Sequence, residues 1–283
     1  MCPSVLSAIR NIHGYRNTDL KSYSSRYLIR INAVGEQLEY YLKDSLSGSF
    51  TMELPKKEQL HHETFSWLGN QNNPPDLILK DGDAFEIKKC SGAIQLNSSP
   101  PKDRLYSSDP RLLAETAACD GGKWESKDLF YMVGDTEGAR LISLFIVQGL
   151  CYAAHKEIYQ RVADKISGGV AGAIASFSLE GGTETNELGR VNRVDPLGIT
   201  YLRVRGMWVI EGPNKVFSYI YAPNQSDAFN LAALLTEEKY ASCPSEDRKA
   251  LEGARGIYNR AVKIRDPNNP ANRIDARLIS FGW

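Results

Sequence analysis

Two near-continuous apolar runs, Leu129 to Val133 and Leu141 to Val147, constrain this 283-residue chain more than any other feature. A half-exposed strand alternates apolar and polar residues, whereas an uninterrupted run of this length fits a strand covered on both faces. A sheet buried on both sides needs layers above and below it, so the expected class is mixed α/β, a central mixed sheet flanked by helices. Three helices are expected. One starts at an Asn32 N-cap and ends before Gly48, with Val34, Leu38, Leu42 and Leu46 as its apolar stripe. A second runs from Asp109-Pro110 to Cys119. The third begins at His155, carries Ile158, Val162 and Ile166, and stops before Gly168-Gly169. Further strands are expected at Asp76 to Lys80, Ala84 to Cys90, Ile199 to Ile210, Val216 to Tyr221 and Arg277 to Phe281, which makes the C-terminal part β-rich.

Composition narrows the function classes. Hydrophobic residues at 42% and charged residues at 24% exclude a disordered or low-complexity chain. Lys plus Arg equals Asp plus Glu at 34 each, so bulk charge cannot coat nucleic acid, although a local basic cleft can still bind it. The five cysteines, Cys2, Cys90, Cys119, Cys151 and Cys243, are odd in number and contain no CxxC pair, which fits a reducing cytoplasm. No signal-peptide core precedes Arg16, and the apolar stretch ending at Ala154 is too short to span a bilayer, so no membrane association is expected. No GxxxxGK[ST] or GxGxxG is present, so no ATP requirement is expected, and there is no HExxH. His61-His62-Glu63 reads as a solvated surface patch, since neighbouring side chains diverge on any regular element.

The chemistry concentrates in Pro75-Asp76 and Glu86-Ile87-Lys88. Residues two apart on a strand share a face, so Glu86 and Lys88 point together while Phe85 and Ile87 pack behind them. Two converging carboxylates form a hard oxygen site suited to Mg²⁺, and a lysine beside them can position or help deprotonate a water that attacks phosphorus. Register tests this reading. A two-residue turn at Asp81-Gly82 would put Asp76 on the wrong face; a three-residue loop, Asp81-Gly82-Asp83, sets Asp76 opposite Lys88 with all three groups together. The expectation is the longer loop or an equivalent bulge. The alternative is an exposed hairpin with an ordinary charged face. Upstream, Gly35 and Glu39 form a G-x-x-x-E helix segment; Glu39 lies at the edge of the apolar stripe, available to a metal site or to a salt bridge, and Glu36 points away.

A second cluster is basic. Arg190, Arg193, Arg203 and Arg205 face only Asp195 between residues 190 and 205. Arg203 and Arg205 alternate with Leu202 and Val204 and so share one strand face. Arginine is the usual bidentate partner of guanine, Asp can accept from cytosine, and Asn192 fits a base edge or a phosphate. A solvated sheet face with structural salt bridges is the competing reading. Asn97, Ser98, Ser99 and Lys102 carry hydroxyl, amide and ammonium groups that suit phosphates, or else form a Pro-stiffened loop. Arg273, in the basic stretch from Arg260 to Arg277, is a weaker DNA-binding candidate.

These residues support a resemblance. Pro75-Asp76 with Glu86-Ile87-Lys88 matches the PD-(D/E)xK nuclease pattern. The longer blocks, Leu68-Gly-Asn-Gln-Asn-Asn-Pro-Pro-Asp76, Gly82-Asp-Ala84, Leu96-Asn-Ser-Ser99, Leu188-Gly-Arg190, Asn192-Arg-Val-Asp-Pro-Leu197, Ile199-Thr-Tyr-Leu-Arg-Val-Arg-Gly-Met-Trp208, Pro267-Asn-Asn-Pro270 and Leu278-Ile-Ser-Phe281, resemble the NgoPII type of type II restriction endonuclease, in order and from about Gly35 onward. The resemblance implies a restriction-endonuclease-like core, a homodimer and Mg²⁺-dependent cleavage of both strands of double-stranded DNA at a short palindrome, GGCC. It assigns catalysis to Asp76, Glu86 and Lys88, and metal binding to Asp76 and Glu86, with Glu39 as a further carboxylate. A single endonuclease domain over residues 1–283 is expected, with a catalytic core at about 30–166 and a DNA-recognition part at about 170–283. A structure-specific nuclease of the same superfamily, acting on junctions or in repair, and a non-catalytic DNA-binding protein remain as alternatives.

Overall fold

The computed structural model describes residues 3–23, 33–69, 73–176, 188–192, 194–197 and 199–283. The strands in chain order are β1 (Phe65–Trp67), β2 (Leu77–Leu79), β3 (Ala84–Lys89), β4 (Ile94–Gln95), β5 (Arg104–Tyr106), β6 (Ser126–Glu137), β7 (Arg140–Gln148), β8 (Gly189–Val191), β9 (Leu202–Val204), β10 (Val209–Ile210), β11 (Asn230–Thr236), β12 (Tyr258–Arg265) and β13 (Arg273–Gly282). They distribute over two compact units. The first comprises Met1–Gly92, Asp103–Ala153 and Glu211–Trp283; the second comprises Ala93–Lys102 and Ala154–Ile210. The segment from 170 to 283 is therefore shared between them.

The first unit is built on one mixed sheet in the order β1-β2-β3-β6-β7-β11-β13-β12, with β5 added on β6. β3 runs parallel to β6 and β7 parallel to β11, and the remaining pairs are antiparallel. The two apolar runs are β6 and β7 at its centre. Alternate residues explain why both faces are covered. Phe85, Phe130, Met132, Leu144, Ile146, Leu231 and Ile279 join one core with Val5, Ile9 and Ile12 of the helix Val5–Tyr15 and Leu38, Leu42 and Leu46 of the helix Ala33–Ser47. On the opposite face, Tyr131, Phe145 and Val147 are also buried. Phe145 and Tyr131 there meet Phe217 and Tyr152, at ring separations of 5.8 and 5.5 Å. On the first face, Gly134 of β6 permits the close approach of the helix Ala33–Ser47: a Cβ there would lie 2.7 Å from a Leu38 methyl.

In the second unit, β4 pairs antiparallel with β10 and β8 with β9, beside the helix Lys156–Ser176. Tyr159 of that helix meets Trp208 edge-on, at 5.6 Å between ring centroids.

Several local expectations are corrected. The 33–47 helix and its stripe form as expected, while its Asn32 cap lies outside the described residues. Asp109 does not start a long helix. Its side chain accepts from the Arg111 amide (2.9 Å), a local turn, and only Ala114–Ala117 becomes helical. The helix from Lys156 passes through Gly168 and Gly169 to Ser176, because each glycine costs only about 1 kcal/mol and the following alanines favour helix. The segment expected as a strand at Val216 to Tyr221 instead follows a short helix, Pro213–Val216, set by proline at its first turn. Ile199 to Ile210 is strand only at β9 and β10. No helix among the described residues is long and apolar enough to cross a membrane.

Candidate active site

The β2–β3 hairpin places the acidic pair. Leu77 faces Phe85 and Ile78 faces Ala84, and the Leu79 amide donates to the Asp83 carbonyl at 3.0 Å. The loop is thus Lys80-Asp81-Gly82, three residues as parity demands but one residue earlier than expected. Asp81 adopts φ 52°, a left-handed conformation that aspartate tolerates. Asp76 accordingly lies level with Glu86 and not with Lys88. A slip of two residues leaves side-chain direction unchanged, so all three groups still share a face. Behind them, Phe85 and Ile87 are buried as expected.

The contacts are close. Lys88 Nζ lies 2.6 Å from Glu86 Oε1 and 4.0 Å from Asp76 Oδ2. The Asp76 amide donates to the Phe85 carbonyl (3.0 Å), and its Oδ2 accepts from the Ile87 amide (2.5 Å), so backbone of β3 fixes the carboxylate at both ends. Gly69 supports it from below: it sits at φ 68°, and a Cβ would fall 2.3 Å from the Asp76 carbonyl oxygen. Burial and the Glu86 charge push the Asp76 carboxyl up to about 7, against the opposing pull of Lys88 and the Ile87 amide. Burial would lower the Lys88 ammonium, but Glu86 and Asp76 outweigh it and hold its pKa above the ordinary lysine value. Lys88 therefore stays charged and is suited to positioning a water more than to taking its proton.

Glu39 reaches the same field: its charge raises both Asp76 and Lys88. Its carboxylate is held by Lys43 one helical turn on, at 2.7 Å, so the salt bridge and the proximity to the site coexist. Among the described residues no three His, Cys, Asp or Glu side chains converge as a ready-made metal cluster. Two carboxylates nonetheless fit Mg²⁺, which keeps several waters and is commonly held by one or two carboxylates together with substrate phosphates. Burial first, and the Glu86 charge second, raise the Asp76 pKa, and a cation placed between the two carboxylates would relieve their repulsion.

Comparisons with known proteins give the family. The model of the NgoPII restriction endonuclease family matches residues 3–268. A Type II restriction enzyme NgoPII from Neisseria gonorrhoeae is 41% identical over 283 residues, covering 98% of this chain and 99% of the relative. The chain belongs to the NgoPII restriction endonuclease family. No solved structure matches it.

The other residues singled out in this NgoPII-family chain fall into two groups. Asn97, Ser98, Ser99, Lys102, Arg190, Asn192, Asp195, Arg203 and Arg205 all belong to the second compact unit. Trp208 joins the two stretches there. Its carbonyl accepts from the Leu96 amide (2.9 Å) and its amide donates to the Asn97 carbonyl (2.8 Å). Ser99 Oγ is buried with no hydrogen-bond partner. Asp195 Oδ1 accepts from the Thr200 amide (2.6 Å), so one oxygen of that carboxylate closes the loop between β8 and β9. Arg193 lies outside the described residues. Arg273 is in the first unit, at the start of β13, where its Nη1 donates to the carbonyls of Pro270 (2.9 Å) and Asn272 (3.1 Å), so it stays with its own turn.

Sequence reasoning missed other residues. His61 is not solvated: it is buried against Asp44 (3.0 Å) and Ser49 (3.2 Å), with Lys57 on the other Asp44 oxygen at 2.5 Å, whereas His62 is exposed. Lys239, from the helix Glu237–Ser242, binds Asp83 (2.5 Å) at the head of β3 and Asp128 (3.0 Å) on β6. Only the fold could reveal that pairing, since Asp83 and Lys239 are 156 residues apart.

Proposed function

We propose that this protein is a type II restriction endonuclease that hydrolyses double-stranded DNA at a short palindrome, with GGCC as the favoured site and Mg²⁺ as cofactor. Asp76, Glu86 and Lys88 on one face of β3 and its neighbour carry the proposal, within a chain whose family membership spans nearly its full length. Asp76 and Glu86, with Glu39 as the additional acidic group, would hold Mg²⁺, which when bound would supply positive charge against that developing on the phosphate and the leaving oxygen. The chain's own groups do the rest. The Ile87 amide keeps the Asp76 carboxylate aimed, and the Lys88 ammonium orients a water toward the phosphorus and adds positive charge beside the phosphate oxygens. The water oxygen bonds to phosphorus in line and gives up its proton to solvent, the bond from phosphorus to the 3′ oxygen breaks and that oxygen takes a proton from solvent, and the ends are 5′-phosphate and 3′-hydroxyl.

The GGCC site follows from the family resemblance, as does the homodimer, whose two-fold axis would match that of a palindrome. The second unit would supply the DNA contacts through Asn97, Ser98, Ser99, Lys102, Arg190, Asn192, Arg193, Asp195, Arg203 and Arg205, with Arg273 as an outlying phosphate contact, all within one endonuclease domain that works in the cytoplasm. The test is Asp76→Ala, assayed for cleavage with Mg²⁺ and for duplex binding in EDTA. Retained binding with cleavage abolished is the expected result. A folded variant that cuts at the wild-type rate would overturn the assignment, and a wild-type enzyme that cuts junctions but not linear duplex would move the protein to the structure-specific class.

A further inference from the structure

A β-bulge aims one side chain at the backbone that carries Asp76. Phe65 of β1 pairs with Leu79 of β2, but the next pair is Trp67 with Ile78, so two steps on β1 match one step on β2 and Ser66 is the extra residue. Such a bulge re-aims the side chains that follow it. Phe65 and Leu79 lie in the same buried core. Ile78 is one residue from Leu79 and two from Asp76, so it points with Asp76. Without the bulge, Trp67 would follow Phe65 to the core side. With it, Trp67 pairs with Ile78 and shares the face of Asp76, Glu86 and Lys88. The extra residue is anchored, since the Ser66 carbonyl accepts from the Cys119 thiol (3.1 Å). The turned indole has a definite target: Trp67 Nε1 donates to the Pro75 carbonyl at 2.9 Å. Pro75 is buried, and a buried carbonyl needs a donor.

We propose that Trp67 is a positioning residue for the cleavage reaction: its indole N–H, delivered by the Ser66 bulge, fixes the Pro75–Asp76 peptide and through it the aim of the Asp76 carboxylate. The inference rests on the endonuclease reading above and deepens it. The Pro75 carbonyl and the Asp76 amide belong to one planar peptide group, and the Asp76 Cα lies in that plane. Trp67 holds the carbonyl side of the plane, and the Phe85 carbonyl holds the amide side at 3.0 Å. With the plane fixed, the Asp76 side chain leaves it in one direction and its Oδ2 meets the Ile87 amide. Trp67 touches neither the attacking water nor the phosphate in this account. A misplacement of about 1 Å at a reacting group can still cost about 100-fold in rate, so a single bond to this peptide has leverage on turnover.

Two replacements separate the hydrogen bond from the ring. Trp67→Phe removes the N–H and part of the ring system, whereas benzothienylalanine at position 67 keeps the bicyclic shape and puts sulfur in place of the N–H. Each protein is measured for steady-state cleavage with Mg²⁺ of the duplex that the wild type cuts, for binding to that duplex in EDTA, and for hydrogen exchange at the Ile87 amide. Both replacements are expected to lower kcat roughly 10- to 100-fold while KM and the Kd in EDTA stay within about twofold, the split that marks a loss confined to the transition state. The Ile87 amide, released by a carboxylate that is no longer held, should exchange about fivefold faster or more. If Trp67→Phe does not fold, the isosteric replacement decides the case. Wild-type turnover with benzothienylalanine would overturn the proposal, even with Trp67→Phe impaired, because ring packing and not the N–H would then matter. Equal losses in turnover and in binding, with Ile87 exchange unchanged, would make Trp67 a DNA contact and overturn it too. Absence of cutting by the wild type would refute the endonuclease reading itself, whereas Ile87 exchange reports on the Trp67 bond whether or not the protein cuts.

Discussion

Replacing Lys239 with methionine should destabilise the protein by about 3–5 kcal/mol, because it strands the largely buried Asp83 carboxylate and takes from Asp128 one of two cations, leaving it Arg104 at 3.1 Å. Asp83, Asp128 and Lys239 side chains are only 12, 16 and 14% exposed, so water screens little of the loss. The pairing is not free even when intact. Burial raises the Asp83 pKa despite Lys239, which shows that desolvation exceeds the attraction. Most of the penalty in the variant is thus the cost of unpaired charge. Domains of this size lose roughly 2–4 °C in Tm per kcal/mol, so a fall of roughly 6–20 °C is expected. The pH dependence has a definite sign. Without Lys239 the folded-state Asp83 pKa lies further above its unfolded value. The native state then binds more protons, and stability falls as pH rises through the interval between the two. The variant should therefore lose more at pH 8 than at pH 5. Urea denaturation at both pH values, with Asp83→Asn and the double variant, completes a thermodynamic cycle. A loss below about 1 kcal/mol, or two substitutions that simply add, would refute the reasoning.

The other predictions concern the hairpin and its support. Gly69→Ala should push the Asp76 backbone out of place, because the site has positive φ and a 2.3 Å clash; cleavage should fall about 100-fold or more, and wild-type turnover would contradict the account. Asp44 resists burial's upward push through hydrogen bonds from His61, Lys57 and Ser49, which leave its pKa below the ordinary carboxylate value. Its stabilisation is present above the unfolded carboxylate pKa and lost as pH falls through the lower folded value, so Asp44→Asn should flatten the acid limb of a stability profile; an unchanged limb would refute this.

Local pattern made the strand that carries Glu86 and Lys88 legible. Glu86 and Lys88 alternate with Phe85 and Ile87, and a period of two fixes their direction whatever the partner strand does. Parity required an odd loop, and the loop is odd. Its position was misjudged by one residue because Asp83, a plausible turn residue by type, is drawn into the ladder and held by Lys239 from the far end of the chain. The helix bearing Glu39 was readable from its stripe, but its approach to the sheet depends on Gly134 meeting Leu38, a contact between distant segments. His61 was misread for the same kind of reason. Its environment is supplied by Asp44 and Ser49 on the preceding elements, and adjacent histidines say only that they diverge. Local chemistry misled at Val216 to Tyr221, where β-branched and aromatic content suggested a strand while Gly212-Pro213 already marked a helix start.

Digestion of unmethylated plasmid with Mg²⁺, in parallel with EDTA, followed by sequencing of the fragment ends, tests the central claim most directly. The account predicts discrete fragments that end within GGCC, carry 5′-phosphates, require the metal and are absent with Asp76→Ala. Folded wild-type protein that binds duplex DNA yet never cuts it with Mg²⁺ would contradict the claim that Asp76, Glu86 and Lys88 form a working nuclease site.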